Sequence, residues 1–360
     1  MESIKLIKEL SEIDGVSGFE FPVAEVYKKY LKDIVELKTD YMGNIMGSLA
    51  GTSPAPRIMV CSHLDELGLM VHSILEDGRV KFVVLTNWWD NIMLQQPVII
   101  KTRKGNIPGI ISSNSCFMGK TAEELKSFAT KDAMFIDVGA RNYKEVVEDF
   151  GIRPGDPVWP DVLFRPLANK EFFAGKAFDD RLGVAATIEI IHNIAGQKHP
   201  NTVLPVVTVQ EEIGSRGAIA VTNFCKPDMA IILEGPPSDD IPLKPYQSQC
   251  IPGKGVHIRR MEPGMMSNGG FFKFIVSIAE ELNIPHQIAV SQTGATDGAL
   301  IHREAFGIPS IMIGIPVRYA HASHGVFCME DYKNTVKLLT EVLLRLDTEV
   351  LERIKENPYG

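Results

Sequence analysis

The sequence contains no apolar run near the roughly 20 residues that a membrane-spanning helix needs, so no such span is expected. Positive charge is not in excess either. The 360 residues carry a formal net charge of −8, which argues against nucleic acid as a partner. Cysteine is scarce: Cys61, Cys116, Cys225, Cys250 and Cys328 are scattered, and no two stand at zinc-finger or redox spacing. That excludes a disulfide framework and a thiolate metal site, and it places the chain in a reducing, cytoplasmic compartment. There is no Gly-x-Ser-x-Gly elbow, no cysteine in a catalytic signature and no glycine-rich phosphate loop. Internal repeats and low-complexity tracts are also lacking, and Met1–Lys5 opens into an amphipathic pattern rather than a signal peptide.

What remains is the composition of a globular protein with enough apolar residues for a sizeable core, as one large domain or two ordinary ones. Its organising stretch is residues 203–218. Val203–Val209 reads as a buried parallel strand, and it ends in two adjacent carboxylates, Glu211 and Glu212. Neighbours on a strand face opposite ways, so the two are expected to do different jobs, one at a metal and one with a proton. The same design recurs. Arg57–Cys61 is a strand that runs into Ser62-His63-Leu64-Asp65-Glu66, and Met229–Leu233 is one that ends in Glu234.

Between these segments the texture is that of an α/β protein. Residues 1–12 read as a helix, and Ser17–Glu20 reads as a capping box for the next one. From about 70 to 167 short alternating strands with closely spaced turns indicate a small β domain, with one short helix near Thr121–Phe128. Trp88-Trp89 and Asn91–Leu94 are its core or a subunit contact. Asp179-Asp180 precede a helix with Val184, Ile188 and Ile191 on its apolar face. Asp180 reads as ligand or N-cap alike, while Asp179 is expected to bridge metals. A single last helix is expected over Met329–Lys355. The loop 291–298 is a candidate pocket wall; Arg259, Arg260 and Arg318 would favour acidic substrates unless consumed in ion pairs.

Collected, the strand-end residues are His63, Asp179, Glu211, Glu212, Glu234 and His321. Two imidazoles with several carboxylates suit Zn²⁺ or Co²⁺ in nitrogen and oxygen coordination, with Mn²⁺ a further candidate. One shared carboxylate with a histidine and a carboxylate on each side makes a two-metal site and leaves one glutamate free as general base. Asp65, two residues from His63, suits a carboxylate that orients a ligating imidazole.

The runs His63-Leu64-Asp65-Glu66, Ala177-Phe178-Asp179-Asp180-Arg181, Gln210–Ala218 and Arg318-Tyr319-Ala320-His321 resemble the tetrahedral (TET), glutamyl and deblocking aminopeptidases of peptidase family M42, clan MH. That family includes proteins once labelled endoglucanase. The resemblance spans nearly the whole chain, in order. It implies an α/β zinc-peptidase core (phosphorylase/hydrolase-like), with a mixed central sheet flanked by helices. The catalytic domain would comprise 1–69 and 168–360, interrupted by a β-rich dimerisation domain at 70–167. The resemblance also implies two divalent metal ions per subunit. His63 and Glu234 would hold one, Glu212 and His321 the other, and Asp179 would bridge them. Glu211 would be the general base, and Asp65 would orient His63. Glu234 stands where the family often has Asp, and the Arg-Tyr-x-His run favours His321 over His324. The expected activity is removal of N-terminal residues from short peptides, by dimers assembled into a hollow dodecamer. A metal-dependent deacylase or amidohydrolase on small amides, an endoglucanase-type glycosidase and a non-catalytic assembly protein stay open.

Overall fold

Four apolar segments run parallel in the middle of a nine-stranded mixed sheet, in the order Thr202–Thr208, Arg57–His63, Met229–Glu234 and Ser310–Gly314. In this computed structural model, residues 2–114, 129–241, 244 and 246–359 are described. Ile45–Ala50 and Glu36–Thr39 extend one edge of the sheet antiparallel. Val256–Glu262 extends the other, with Met265–Met266 and His286–Val290 beside it.

The unbroken apolar runs are explained by burial on both faces. Ile58, Val60, Val203, Val207, Ile231, Leu233, Ile311 and Ile313 share one core with helices Ser3–Glu12, Phe21–Leu31, Phe178–Ile194, Gly269–Glu281, Met329–Arg345 and Thr348–Glu356. The alternate residues Met59, Cys61, Leu204, Val206, Ala230, Ile232 and Met312 face a second core with helices Arg216–Cys225 and Gly298–Ile301. Period-two alternation thus divides each strand between two apolar layers.

Strands Leu69–Ile74, Val80–Val84, Pro97–Thr102, Gly105–Ser113, Met134–Asp137 and Pro157–Pro160 close into a separate barrel. Trp88 and Met93 are buried in its core, whereas Trp89 is exposed, so the tryptophan pair is split between the two expected roles. A small sheet of Arg165–Pro166, Phe172–Gly175, Gly325–Cys328 and Val317–Arg318 adds Phe173, Phe327 and Val317 to the first core.

Three local expectations change. Residues 329–355 form two helices, because Asp347 accepts from Val350 N at 2.8 Å and caps a new one. Ser17 and Glu20 do not form a capping box. The Ser17 hydroxyl goes instead to Asp65 Oδ2 at 2.6 Å, and Glu20 Oε1 accepts from Gly18 N and Gln210 N. A buried carboxylate is the stronger acceptor, which explains the diversion. The short helix expected near Thr121–Phe128 lies outside the described residues.

Candidate active site

Parallel strands present all their carboxyl ends at one side of a sheet, and clefts form there. His63 and Glu234 are the last residues of adjacent parallel strands. Glu211 and Glu212 lie beyond the strand that ends at Thr208. Strand alternation therefore does not separate them. The chain turns at Gln210 (φ 59°) and Gly214 (φ 113°), and the Glu211 carbonyl accepts from Gly214 N and Ser215 N, both at 2.8 Å.

Asp179 opens the Phe178–Ile194 helix with non-helical backbone angles, as does Asp180. The preceding Phe178 is anchored edge-on to Phe327, with ring centroids 4.7 Å apart, and Phe164 packs on it at 6.1 Å. Gly235 makes room on the opposite side: a Cβ there would meet Asp179 Cα at 2.8 Å. His321 follows the strand Val317–Arg318 and has a left-handed φ of 59°.

These residues converge. His63 Nε2 is 3.3 Å from Asp179 Oδ1 and 3.6 Å from Glu234 Oε2. His321 Nε2 is 3.4 Å from Asp179 Oδ2 and 3.6 Å from Glu212 Oε2. The two oxygens of Asp179 thus face the two imidazoles. Two groups have ligand atoms within 4.8 Å of one another: His63, Asp180 and Glu234, and Asp179, Glu212 and His321. Asp180 is committed elsewhere as well, since Oδ1 accepts from Gly183 N at 3.0 Å, as an N-cap does, and Oδ2 from His63 N at 3.2 Å. Glu211 and His324 belong to neither group. His324 Nδ1 is 3.1 Å from Ser323 Oγ.

Asp65 stands against His63 as its spacing suggests, while the other supports carried no sequence signal. His63 Nδ1 is 3.1 Å from the Asp65 carbonyl and 3.4 Å from Asp65 Oδ1. With Nδ1 held, Nε2 is the nitrogen that faces the carboxylates. The Asp65 carboxylate also accepts from Glu211 N at 2.9 Å and Glu212 N at 3.1 Å. Buried Glu66 binds Lys176 Nζ at 2.7 Å and Arg181 Nη2 at 3.3 Å. Fully buried Arg181 also donates to the carbonyls of Leu10, Ile13, Gly15 and Leu64. This network ties the segment that follows His63 to the helix carrying Asp179. Thr86, from the barrel segment, donates its hydroxyl to Glu212 Oε2. Sequence reading missed Thr86 because nothing in its surroundings marks it.

The charges are crowded. Burial pushes the Glu211 and Glu212 carboxyls upward and takes Glu234 to about 8. Burial alone would lower the imidazoles. The neighbouring carboxylates outweigh it, leaving His63 well above its ordinary value and His321 at about 9. Asp179 is held low, since His321 and His63 together overcome its burial. A cluster this rich in buried carboxylates needs positive charge to offset it.

A divalent metal fits this donor set. Imidazole and carboxylate are its usual ligands when sulfur is absent, and Glu212 Oε1 is buried without a hydrogen-bond partner. Asp179, Glu211, Glu212, Glu234 and His321 line a cavity of about 570 Å³ whose wall also includes Thr86, Ser215, Arg259 and Thr293–Thr296. Two of the three arginines that sequence reading offered as acid-selecting are paired with carboxylates: Arg259 with Glu262 at 3.0 Å, and Arg318 with Asp240. Arg260 donates to the Ser267 carbonyl.

This arrangement has counterparts. The sequence matches the family described as M42 glutamyl aminopeptidase over residues 43–338. It is 30% identical over 359 residues to the glutamyl aminopeptidase of Lactococcus lactis subsp. cremoris (strain MG1363), covering 99% of each chain. The structure is similar to that of a TET aminopeptidase from the marine sediment archaeon Thaumarchaeota archaeon SCGC AB-539-E09. The TM-score is 0.94 with 35% identity, over 98% of this chain and 100% of that one. It is also similar to the Pyrococcus horikoshii TET1 peptidase, which can assemble into a tetrahedron or a large octahedral shell. There the TM-score is 0.86 with 26% identity, over 96% and 100% of the two chains. The family match and a likeness that spans nearly the whole of each chain show that this chain belongs to the M42 glutamyl aminopeptidase family.

Proposed function

We propose that this protein is a dinuclear metalloaminopeptidase that removes N-terminal residues from short peptides, with Glu211 as general base. One observation carries the reading: the two oxygens of Asp179 face the imidazoles of His63 and His321, and Glu211 belongs to neither ligand group while lining the same cavity. His63 and Glu234 would hold one ion, Glu212 and His321 the other, with Asp179 between them. Asp180 is left out because backbone N–H groups occupy both its oxygens. Zn²⁺ or Co²⁺ suits the donors best, then Mn²⁺. When bound, such ions act as Lewis acids on the scissile carbonyl and lower the pKa of water.

The chain's own residues supply the rest. Glu211 takes a proton from the attacking water and returns it to the leaving amine. The surplus of carboxylates suits the free ammonium of a peptide's first residue. Asp65 holds Glu211 and Glu212 by their backbone and His63 by its ring. A deacylase of small amides and a glycosidase are not favoured by family membership, and a glycosidase would have no use for the two imidazoles.

We further propose that the module at 70–167, between catalytic parts 1–69 and 168–360, is a subunit contact in a homo-oligomer. Its outward Val83, Trp89, Ile110 and Tyr143 and the assembly of the TET1 peptidase support this. A cytoplasmic setting accords with four buried free cysteines among the described residues. No helix among the described residues is long and apolar enough to cross a membrane.

The test is hydrolysis of a panel of unblocked aminoacyl-p-nitroanilides and N-acetyl amino acids. Metal-free protein is compared with protein given Zn²⁺, Co²⁺ or Mn²⁺, and Glu211→Gln is run beside it. Anilide hydrolysis that returns with metal, and falls by roughly 10²–10⁴-fold in Glu211→Gln, is expected. Release of acetate without anilide cleavage, in protein that binds two ions, would overturn the reading.

A further inference from the structure

Ser215 occupies a strained position and is not used as its sequence context suggests. It directly precedes the helix Arg216–Cys225, where serine commonly caps the exposed N–H groups. Here it makes no side-chain cap hydrogen bond. Its φ is 50°, in the left-handed region that side chains with a Cβ adopt only under strain. The residue before it, at φ 113°, is glycine. Glycine would also be the less strained choice at 215.

The hydroxyl has another partner. Ser215 Oγ donates to Glu211 Oε1 at 3.1 Å, inside the cavity that both residues line. The serine is buried, and Asp297 also flanks its side chain. Asp297 is itself held through Oδ2 by the Thr208 hydroxyl at 2.5 Å. Thr208 is the last residue of the strand that delivers the two glutamates. A strained residue beside reacting groups, its side chain withheld from the local role, points to a task at those groups.

We propose that Ser215 is a positioning residue for hydrolysis: its hydroxyl, given to Glu211 Oε1 instead of the helix end, holds the proton-carrying carboxylate in its working orientation. This rests on the role of Glu211 stated above. Ser215 belongs to neither ligand group, and its hydroxyl goes to Glu211, which is outside both as well, so unchanged metal content is expected on its removal.

Glycine separates this role from a structural one, because it removes the hydroxyl and relieves the backbone together. Ser215→Gly and Ser215→Ala are made in the full chain loaded with Zn²⁺ or Co²⁺. Kinetics on the preferred aminoacyl-p-nitroanilide, metal content and Tm are then measured. The expected result for Ser215→Gly is unchanged metal content, with Tm unchanged or raised by about 1–2 °C. The kcat should fall about ten-fold or more, while KM stays within about two-fold. In a Glu211→Gln background the same change should have no further effect on rate. Full kcat in Ser215→Gly, an equal loss in the Glu211→Gln background, or failure of both variants to fold would each overturn the proposal. Glu211→Gln with wild-type activity would instead overturn the general-base reading.

Discussion

Asp65 Oδ1 lies 2.9 Å from the backbone nitrogen of Glu211. A fully buried carboxylate in the loop after one strand therefore fixes the loop after its neighbour. From sequence, Asp65 serves His63 alone. In the fold it also binds the backbone of Glu212 and the hydroxyl of Ser17. One side chain thus contacts both the His63 imidazole and the backbone of Glu211, the proposed general base.

Asp65→Asn tests that arrangement. The amide keeps one acceptor oxygen and turns an N–H₂ toward backbone donors. Metal affinity should weaken by roughly 10–100-fold, kcat should fall, and stability should drop by about 1–3 kcal/mol. Metal titration and denaturant unfolding check this. Unchanged affinity and rate would reduce Asp65 to an ordinary buried acid.

Glu66→Gln probes the network beneath the site. It leaves Lys176 and Arg181, both buried, without their shared counter-charge. Breaking such a cluster costs about 3–5 kcal/mol. Guanidinium unfolding of the metal-loaded protein should show a loss of that size, and a change below about 1 kcal/mol would contradict it.

Asp331, away from the site, gives a pH prediction. Its carboxylate accepts from Gly253 N at 2.6 Å and Gly255 N at 2.7 Å, yet burial raises its pKa to about 6. The folded value exceeds the unfolded one, so its contribution is full below about pH 4 and is lost as pH rises through 6. The stability of wild type minus that of Asp331→Asn should therefore fall between pH 4.5 and 7. Unfolding curves at several pH values measure it, and a difference that stays flat or rises would refute the shift.

The strands were legible because both their faces are buried. Arg57–His63 and Met229–Glu234 read as apolar runs that stop at a ligand-like residue. The break at Asp347 was obscured by an amphipathic pattern that continues across it, although the cap signal Asp-Thr-Glu was present. The barrel's contribution through Thr86 was illegible, since its partner Glu212 lies 126 residues away.

By itself the sequence determined the donor chemistry and the placement of donors at the ends of parallel strands. Apolar runs must be buried, and an imidazole and carboxylates just beyond them must share one side of the sheet. It did not determine where the side chains of two identical neighbours point, and the roles expected of them came from the family resemblance. Glu211 and Glu212, like Asp179 and Asp180, have the same functional group and differ only in direction. Direction comes from backbone turns at Gln210 and Gly214, from Phe178 packed on Phe327, and from Asp65 holding two amides. Those constraints arise between segments distant in the chain, so only the tertiary structure could set the direction of each carboxylate.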